Sequence, residues 1–473
     1  MSQKRRRVST YLTQYLIRYI TSLEERGMLD NTLVFYITGD NGASGEGTLH
    51  GAWSAPSFQN GRPEDPEWLL EHMDDFGSAD CENHYNYPWA WALDSPFQWM
   101  KQVASHFGGT RNAMAVSWPK GITDAGGLRT QFHHVVDIAP TIYEACGITQ
   151  PSSVNGIEQM EVHGTSMAYT FDDADVADRH ETQYFEIMGN RGVYHQGWMA
   201  SCFHGRPPWI RWQGMPFDGE QERWELYDLR TDFSQAVDVA AQYPEKLAEL
   251  MEVFDREARR NSVYPMRDPG SGSQLVAPVP SSLGDLTKMT YTSVHARMPE
   301  FSVVNVKNTS WRMTAVVEVG EGAHGVIACQ GGNMAGWSLY LSELGVPTFH
   351  YNWFGHQHTS VVAPTALIAG RHEIDMLFAY DGGFAAGGDV ALSVDGVLVS
   401  EGRVPNTVPV IFSMSGETFD VGVDTGAPVG PYPHQFEFTG RIVGVTIERL
   451  GERPEAVLQA MRDGQIRASI ASQ

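Results

Sequence analysis

The chain has 473 residues and a mass of 52.5 kDa, which is enough for about three domains or subdomains. Its apolar fraction of 42% can fill a large core, so a wholly disordered protein is excluded. Asp and Glu number 57 against 33 for Lys and Arg. The resulting net charge of −24 argues against nucleic acid or an anionic membrane surface as a partner.

The sequence also carries no membrane or secretion signal. It has no apolar run of about 18 residues, which predicts no membrane span, and it shows no signal-peptide pattern. A cytoplasmic location is therefore the default expectation. The four cysteines include no CxxC pair, so we expect reduced, mostly buried thiols and no structural zinc knuckle.

The first elements in chain order predict an α/β sheet. Apolar residues at helical spacing over 8–26 predict a helix that ends at Gly27. The unbroken apolar run 33–37 predicts a strand buried on both faces, and a second run covers 113–118. A further helix is predicted near Val135 to Ala145. A helix, a tight turn and an apolar strand are typical of an α/β sheet.

The second half of the chain has a different pattern. A helix is predicted over 244–258, followed by a stretch rich in Pro, Gly and Ser. About ten short alternating runs, separated by turn signals, then fill 289–450 and predict an all-β sandwich of the jelly-roll type. We therefore expect four regions: 1–266 as the α/β part, 267–288 as a linker, 289–450 as the sandwich, and 451–473 as a C-terminal helix and tail.

The strongest local feature is the segment Thr38–Gly42, directly after the first predicted strand. Asp40 and Asn41 place two oxygen donors there, and Gly39 and Gly42 permit unusual backbone angles around them. A carboxylate beside a carboxamide suits a hard cation such as Ca²⁺ or Mg²⁺. Taken alone, however, these residues favour a simple Asn-Gly turn.

Four separate blocks carry a resemblance to a known family. They are the Thr38–Gly42 segment, Asp94-Ser95-Pro96 leading to Lys101, Phe107 to Arg111, and His133 to Thr141. In this order they resemble the C-terminal half of the sulfatase family, arylsulfatase type, within the alkaline-phosphatase-like superfamily. Two further segments, 226–229 and 243–246, look like the family's closing strand and helix. The resemblance covers about residues 8 to 260.

The resemblance implies roles for individual residues. Asp40 and Asn41 match two ligands of the family's divalent metal, with Ca²⁺ expected first and Mg²⁺ as the alternative. Lys101 matches the catalytic lysine that contacts the substrate sulfate, although an ordinary surface lysine is the competing interpretation. His133 and His134 match a position that opens a packed helix, so we interpret both as structural. We interpret Arg111 as an anchor for the loop after Gly109.

One part of the family's machinery is absent from the sequence. The family carries a C-x-P-x-R segment whose cysteine becomes formylglycine, the nucleophile, and no such segment occurs here. The segment 202–206 has Cys and Arg at the right separation, but His204 stands where proline is required. We therefore expect a partial sulfatase domain without its N-terminal half, inactive alone, whose missing half a separate chain could supply.

Three hypotheses for function follow. The first is a sulfuric ester hydrolase that acts on a small-molecule sulfate ester. The second is a phosphodiester or phosphonate hydrolase of the same superfamily. The third is a non-catalytic glycan-binding or structural protein, since 289–450 resembles concanavalin-like or laminin-G-like sandwiches. Exposure of Tyr351, Trp353 and Phe354 would favour glycan binding, and their burial would favour packing.

Overall fold

The computed structural model describes residues 2–205, 207, 222–266, 286–413 and 416–471. Most of the predicted linker, 267–285, lies outside the described residues. The chain forms two compact units. Among the described residues, the first unit contains 2–45, 88–205, 207 and 222–266, and the sandwich unit contains 46–87, 286–413 and 416–471.

The helices among the described residues include those predicted. In chain order they are α1 (Ser2–Glu25), α2 (Ala55–Gln59), α3 (Pro66–Glu71), α4 (Tyr87–Asp94), α5 (Phe107–Thr110), α6 (Ile138–Cys146), α7 (Pro244–Arg260) and α8 (Glu455–Ala471). Gly27 follows α1 at a φ of +65°, a backbone conformation that glycine adopts without strain, so the predicted end of this helix is confirmed. None of the described helices is both long enough and apolar enough to span a membrane.

Eight strands belong to the first unit. They are β1 (Val34–Ile37), β2 (Met114–Ser117), β3 (Ser153–Val154), β4 (Ile157–Glu158), β5 (Thr182–Ile187), β6 (Asn190–His195), β7 (Trp198–Cys202) and β8 (Trp224–Asp228). They form two two-stranded sheets, β1-β2 and β3-β4, and a four-stranded antiparallel sheet in the order β5-β6-β7-β8.

The prediction that the first strand is buried on both faces is wrong. β1 pairs with β2 in antiparallel register from Val34↔Ser117 to Ile37↔Met114, and these two strands form a sheet by themselves among the described residues. Tyr36 and Ile37 remain 42% and 41% exposed. A two-stranded ribbon is too narrow to be covered as the centre of a wide sheet is, so an apolar run does not guarantee burial.

Helix α7 packs on the four-stranded sheet through one face. Its buried residues Leu250, Val253, Phe254 and Ala258 recur at helical spacing and contact a cluster that includes Leu226 of β8. Pro244 occupies the start of the helix, where its missing N–H leaves no hydrogen bond unmade. The sequence periodicity therefore predicted this helix because the buried face is continuous.

The sandwich unit contains the other strands. They are β9 (Lys288–Tyr291), β10 (His295–Met298), β11 (Ser310–Val319), β12 (Gly325–Gly332), β13 (Ala335–Leu341), β14 (Pro347–Trp353), β15 (Gln357–Val362), β16 (Gly370–Tyr380), β17 (Gly388–Val394), β18 (Val397–Val404), β19 (Phe419–Val421) and β20 (Arg441–Leu450). They form two six-stranded sheets, ordered β10-β19-β12-β13-β14-β15 and β18-β17-β16-β11-β20-β9.

The two six-stranded sheets share one hydrophobic core. Along β11 every second residue is buried, beginning with Trp311 and Met313. These side chains join a single cluster with residues of the other sheet, among them Trp337, Leu339 and Phe349. This alternation is the period of a strand with one face in a core, and it produces a β-sandwich. The jelly-roll topology stays a prediction.

The sandwich unit also contains residues 46–87, which the linear division of the sequence places in the α/β part. The Asn60 amide donates to the C=O of Ile411 at 2.9 Å, and its oxygen accepts from the N–H of Val410 at 2.9 Å. The Glu64 carboxylate lies 2.7 Å from Nε2 of His356. Polar side chains attach this segment together with a hydrophobic cluster in which Trp53 and Leu69 contact Met334. Such scattered contacts leave no periodic signal in the sequence.

The three aromatic residues whose exposure would favour glycan binding lie mainly in the interior of the sandwich unit. Tyr351 and Phe354 are buried and belong to the core cluster, and Trp353 is partly buried against it. The Arg62 guanidinium covers the Trp353 ring at 4.6 Å from the ring centre. These contacts favour the packing interpretation of all three rings over a binding surface.

Candidate functional site

Three backbone contacts bring the predicted site segments together in the first unit. The N–H of Gly42 donates to the C=O of Gly109 at 3.0 Å, and the N–H of Lys101 donates to the C=O of Ala43 at 3.1 Å. The N–H of Ala43 donates to both carboxylate oxygens of Asp94, each at 3.0 Å. The turn after β1 therefore lies against the segment that contains Lys101, although about 60 residues separate the two in sequence.

Two glycines make this close approach possible. A Cβ atom on Gly42 would lie 1.6 Å from the carbonyl oxygen of Gly108. A Cβ atom on Gly108 would in turn lie 2.2 Å from the carbonyl oxygen of Gln98 and 2.3 Å from that of Trp99. Only a residue without a side chain fits either position, so packing requires these glycines. Neither has a positive φ, so the expectation of an unusual backbone angle holds for Gly39 but not for Gly42.

Asn112 holds the backbone of Asn41 directly. With its carboxamide oriented to satisfy both ends, Asn112 donates to the C=O of Asn41 at 3.0 Å and accepts from its N–H at 3.1 Å. Both backbone groups of Asn41 are used in this way, which fixes the backbone from which its side chain extends. The sequence analysis missed Asn112, since a single asparagine after Arg111 carries no distinctive signal.

The residues present fit a hard divalent cation. Asp40 is exposed, and Asn41 and Lys101 are half-buried. A carboxylate and a carboxamide oxygen in adjacent positions are donors that Ca²⁺ and Mg²⁺ prefer. Gly39, at a φ of +84°, turns the backbone just before these donors. Asp40 and Asn41 therefore stay the candidate metal ligands, with Lys101 as the candidate cationic residue nearby.

Asp94 is a second residue that the sequence analysis did not assign to the site. Burial raises the pKa of its carboxyl group to about 6, and the hydrogen bond from Ala43 opposes that rise. Because its two oxygens accept the same N–H, Asp94 fixes the turn two residues after Asn41. It supports the candidate ligands through the backbone.

A buried polar chain supports the loop that follows Lys101. Oγ of Ser105 lies 2.9 Å from Nδ1 of His106, whose Nε2 lies 3.0 Å from the Glu225 carboxylate. The hydroxyl of Tyr227 donates to the same carboxylate at 2.8 Å. The order Ser–His–Glu is that of a hydrolytic triad, but Ser105 and His106 are fully buried. Because both residues are buried, these hydrogen bonds join the loop to β8, and the Ser105 hydroxyl is not accessible to a substrate.

The two neighbouring histidines are structural, as predicted. His134 caps the turn that opens α6, and its N–H donates to the Asp137 carboxylate at 2.9 Å. Nδ1 of His133 and Nδ1 of His180 also contact that carboxylate, at 3.2 and 2.8 Å. Burial alone would raise the pKa of Asp137, but these hydrogen bonds hold the pKa well below its ordinary value.

Arg111 has the contacts of a loop anchor. Its guanidinium donates to the C=O of Phe233 at 3.0 Å and lies over the rings of Phe97, Phe107 and Phe233 at 5.1 to 5.7 Å. These contacts join the end of α5 to the segment after β8. They agree with the structural interpretation of this residue.

The free cysteines offer no activated thiol. Cys81, Cys202 and Cys329 are buried and Cys146 is exposed, as expected for reduced thiols. Burial raises the pKa of Cys202 to about 12, and the nearby Glu222 carboxylate adds to the rise. A thiol with so high a pKa is a poor nucleophile. Cys202 therefore supplies no thiolate nucleophile of its own. The ground for treating the 202–206 segment as a chance match stays His204 at the proline position; Arg206 lies outside the described residues.

Residues 4–148 match the family model named Sulfatase. An uncharacterized sulfatase of Schizosaccharomyces pombe is 26% identical over 240 residues, which cover 50% of this chain and 39% of that protein. The chain thus spans about two fifths of the length of this curated relative. Because the sulfatase match begins at residue 4, the expectation of a missing N-terminal half is not supported. The match ends at residue 148, short of the limit near residue 260 that the motifs indicated.

Solved structures give weaker likenesses. One is a protein of Bacteroides thetaiotaomicron from a core genetic locus for metabolism of multiple glycosaminoglycans. It is 16% identical, with a TM-score of 0.35, and the likeness covers 52% of this chain and 42% of that one. The LG4-5 domains of the mouse laminin alpha1 chain are 16% identical, with a TM-score of 0.23, over 35% of this chain and 40% of that one. The similarity of the sandwich to known domains is therefore weak.

Proposed function

We propose that the region around Asp40, Asn41 and Lys101 takes part in metal-assisted hydrolysis of a sulfuric ester of a small molecule. The observation that supports this most is the set of hydrogen bonds that joins the turn after β1 to Lys101 and to the paired glycines. The sulfatase match of residues 4–148 covers every one of these residues. Because three segments distant in sequence meet here, this arrangement supports a binding site more strongly than an isolated Asn-Gly turn does.

Each residue has a role that follows from charge. Asp40 and Asn41 would hold the divalent cation, Ca²⁺ first and Mg²⁺ as the alternative. The cation would offset the negative charge of a sulfate group. Lys101 would bind the sulfate oxygens and stabilise the charge that develops as the ester bond breaks. In a protein of net charge −24, such a cationic site also offsets repulsion of an anionic substrate.

None of the three residues assigned to the site is a nucleophile. No C-x-P-x-R segment occurs in the sequence, and burial keeps Cys202 protonated. We therefore predict that these 473 residues, with Ca²⁺ or Mg²⁺ added, hydrolyse neither an aryl sulfate nor an aryl phosphodiester above the uncatalysed rate. Loss of a nucleophile alone removes roughly five to six decades of rate in enzymes that depend on one. Turnover that Lys101→Ala abolishes and Cys202→Ala leaves unchanged would show that another residue supplies the nucleophile.

Binding measurements test the site without relying on turnover. Isothermal titration calorimetry of the full chain should show one weak Ca²⁺ site that Asp40→Ala removes, and a sulfate affinity that Lys101→Ala lowers at least about tenfold. Asp173→Ala and Lys120→Ala make the same charge changes at exposed positions elsewhere in the first unit and should leave both affinities unchanged. Equal losses in the control variants would point to net charge as the cause and contradict the proposal.

A further inference from the structure

A buried polar row crosses the outer face of one sheet in the sandwich unit. Asp420 of β19 pairs with Cys329 of β12, and Cys329 pairs with Ser338 of β13. Directly paired residues point to the same face of a sheet, so the three side chains are neighbours. They lie on the opposite face from Gln330 and Trp337, the residues next along β12 and β13, since successive side chains alternate.

The segment after β19 covers this row. Val429, Tyr432 and Phe436 form a small hydrophobic cluster with Cys329 and its neighbours on β12 and β13. Asp424 lies in the same segment, and the Tyr432 hydroxyl donates to its carboxylate at 2.8 Å. The cover keeps the polar row almost entirely away from solvent.

Three of these side chains present ligand atoms at one point. The thiol of Cys329 and one carboxylate oxygen each of Asp420 and Asp424 all lie within 4.8 Å of one another. Each of the three residues is only 1% exposed. Among the described residues, this is the one group of three or more His, Cys, Asp or Glu side chains with such spacing.

The charges of this cluster are not balanced by a basic side chain. The carboxylates of Asp420 and Asp424 lie beside the Cys329 thiol, and the Glu417 carboxylate is close enough to interact with both. No Lys or Arg in the described part of the chain forms an ion pair with these carboxylates. Buried anions normally pair with a cation or coordinate a metal.

A second observation comes from Ser338. Its side chain is fully buried, and its Oγ makes no hydrogen bond of acceptable geometry, although it lies beside the Tyr432 hydroxyl. Buried hydroxyls are normally satisfied, so an orphaned one calls for a ligand. Its pairing with Cys329 places Ser338 on the same face of the sheet, directly beside the thiol.

We propose that Cys329, Asp420 and Asp424 form a structural site for a divalent transition metal, with Zn²⁺ as the best match. One thiolate with two carboxylates is a donor set that zinc accepts, whereas Ca²⁺ takes six to eight oxygen ligands. The Ser338 hydroxyl or a water would complete four-coordination. In a tetrahedral zinc site with bonds of about 2.0 to 2.3 Å, the ligand atoms lie roughly 3.3 to 3.6 Å from one another. The ligand atoms here lie within 4.8 Å of one another, so on binding a metal they would move closer together by up to about 1 Å.

The existing hydrogen bonds leave room for the metal. One oxygen of Asp424 accepts a single long bond, from the N–H of Gly426 at 3.3 Å. Each oxygen of Asp420 accepts one backbone N–H, from Arg297 or Thr425, and one hydroxyl, from Thr418 at 3.2 Å or Thr425 at 2.7 Å. The backbone bonds hold the carboxylate in place, and a hydroxyl can rotate away to free a lone pair. The bound metal would then tie the segment after β19 to the sheet and neutralise the buried charges.

Cobalt substitution tests the proposal, because a thiolate ligand gives Co²⁺ a charge-transfer absorption band that oxygen ligands do not. After dialysis, the full-length protein should retain one equivalent of Zn²⁺. It should show the charge-transfer band when Co²⁺ replaces the Zn²⁺. Cys329→Ser should abolish the band, and the isosteric Asp424→Asn should weaken metal affinity at least about tenfold, as should Ser338→Ala. The Asp40–Asn41 turn contains no thiol, so it cannot produce the band.

Cys146→Ser is the matched control, since it removes an exposed thiol of the other unit. It should leave the band and the stoichiometry unchanged. Absence of the band from the wild type would overturn the proposal, and so would its persistence at full strength in Cys329→Ser or an unchanged metal affinity in Asp424→Asn. If Cys329→Ser does not fold, as judged by circular dichroism, Asp424→Asn decides the outcome, since it changes no volume.

Discussion

The turn after β1 and the core of the sandwich are maintained by different kinds of contact. In the turn, backbone groups of Gly42 and Ala43 bind segments 51 to 67 residues away, and the packing requires that Gly42 and Gly108 have no side chain. In the sandwich, alternate residues of long strands such as β11 fill a common core. The first arrangement depends on a few hydrogen bonds and glycines, and the second on buried apolar area. Substitutions should therefore affect the two regions in different ways.

The largest difference should appear when an apolar side chain is truncated in each region. Phe349→Ala in β14 removes a fully buried ring from the sandwich core and should lower the free energy of unfolding by about 3 to 5 kcal/mol. Ile37→Ala in β1 removes a side chain that is 41% exposed and should cost less than about 1 kcal/mol. Urea denaturation followed by circular dichroism measures both. Equal losses would mean that β1 is covered in solution.

A smaller effect is expected when a methyl group is added to a glycine. Gly42→Ala places a Cβ 1.6 Å from the Gly108 oxygen, so the turn must move, at a cost of about 2 to 3 kcal/mol. Gly320→Ala, in the sandwich unit, meets nothing within 4 Å and should change stability by between zero and a gain of about 1 kcal/mol. Thermal unfolding distinguishes the two. Tolerance of alanine at position 42 would show that the turn does not pack as described.

The smallest effect concerns pH and Asp94. Its folded pKa of about 6 exceeds the ordinary value of 3.8, so the folded chain keeps the proton to higher pH than the unfolded chain does. The contribution of Asp94 to stability is therefore fully present below about pH 4 and falls as pH rises to about 6. Since the group is partly solvated, the loss should be no more than about 1 kcal/mol.

Asp94→Asn provides the reference for this measurement, because an amide oxygen can still accept the N–H of Ala43. The stability of the wild type relative to Asp94→Asn should fall between pH 4 and pH 6 and then stay constant. A relative stability that rises over this interval would contradict the raised pKa. A flat difference would mean that the carboxyl group is more solvated than the structure shows.

The sequence by itself determined the elements whose pattern is local and periodic. Helix α7 and the alternating strands of the sandwich follow from apolar residues at fixed spacing, because one continuous face of each is buried. Helix α1 follows from the same spacing, although none of its residues 13–25 is buried. Motif order also indicated the Asp40–Asn41 turn and Lys101.

Only the tertiary structure decided which residues support the Asp40–Asn41 turn and Lys101. The roles of Asn112, Asp94 and His106 depend on partners far away in the chain, and residues 46–87 are attached by scattered polar and apolar contacts. The exposure of β1 depends on the number of neighbouring strands. None of these leaves a periodic signal, since each is set by the pairing of segments distant in sequence.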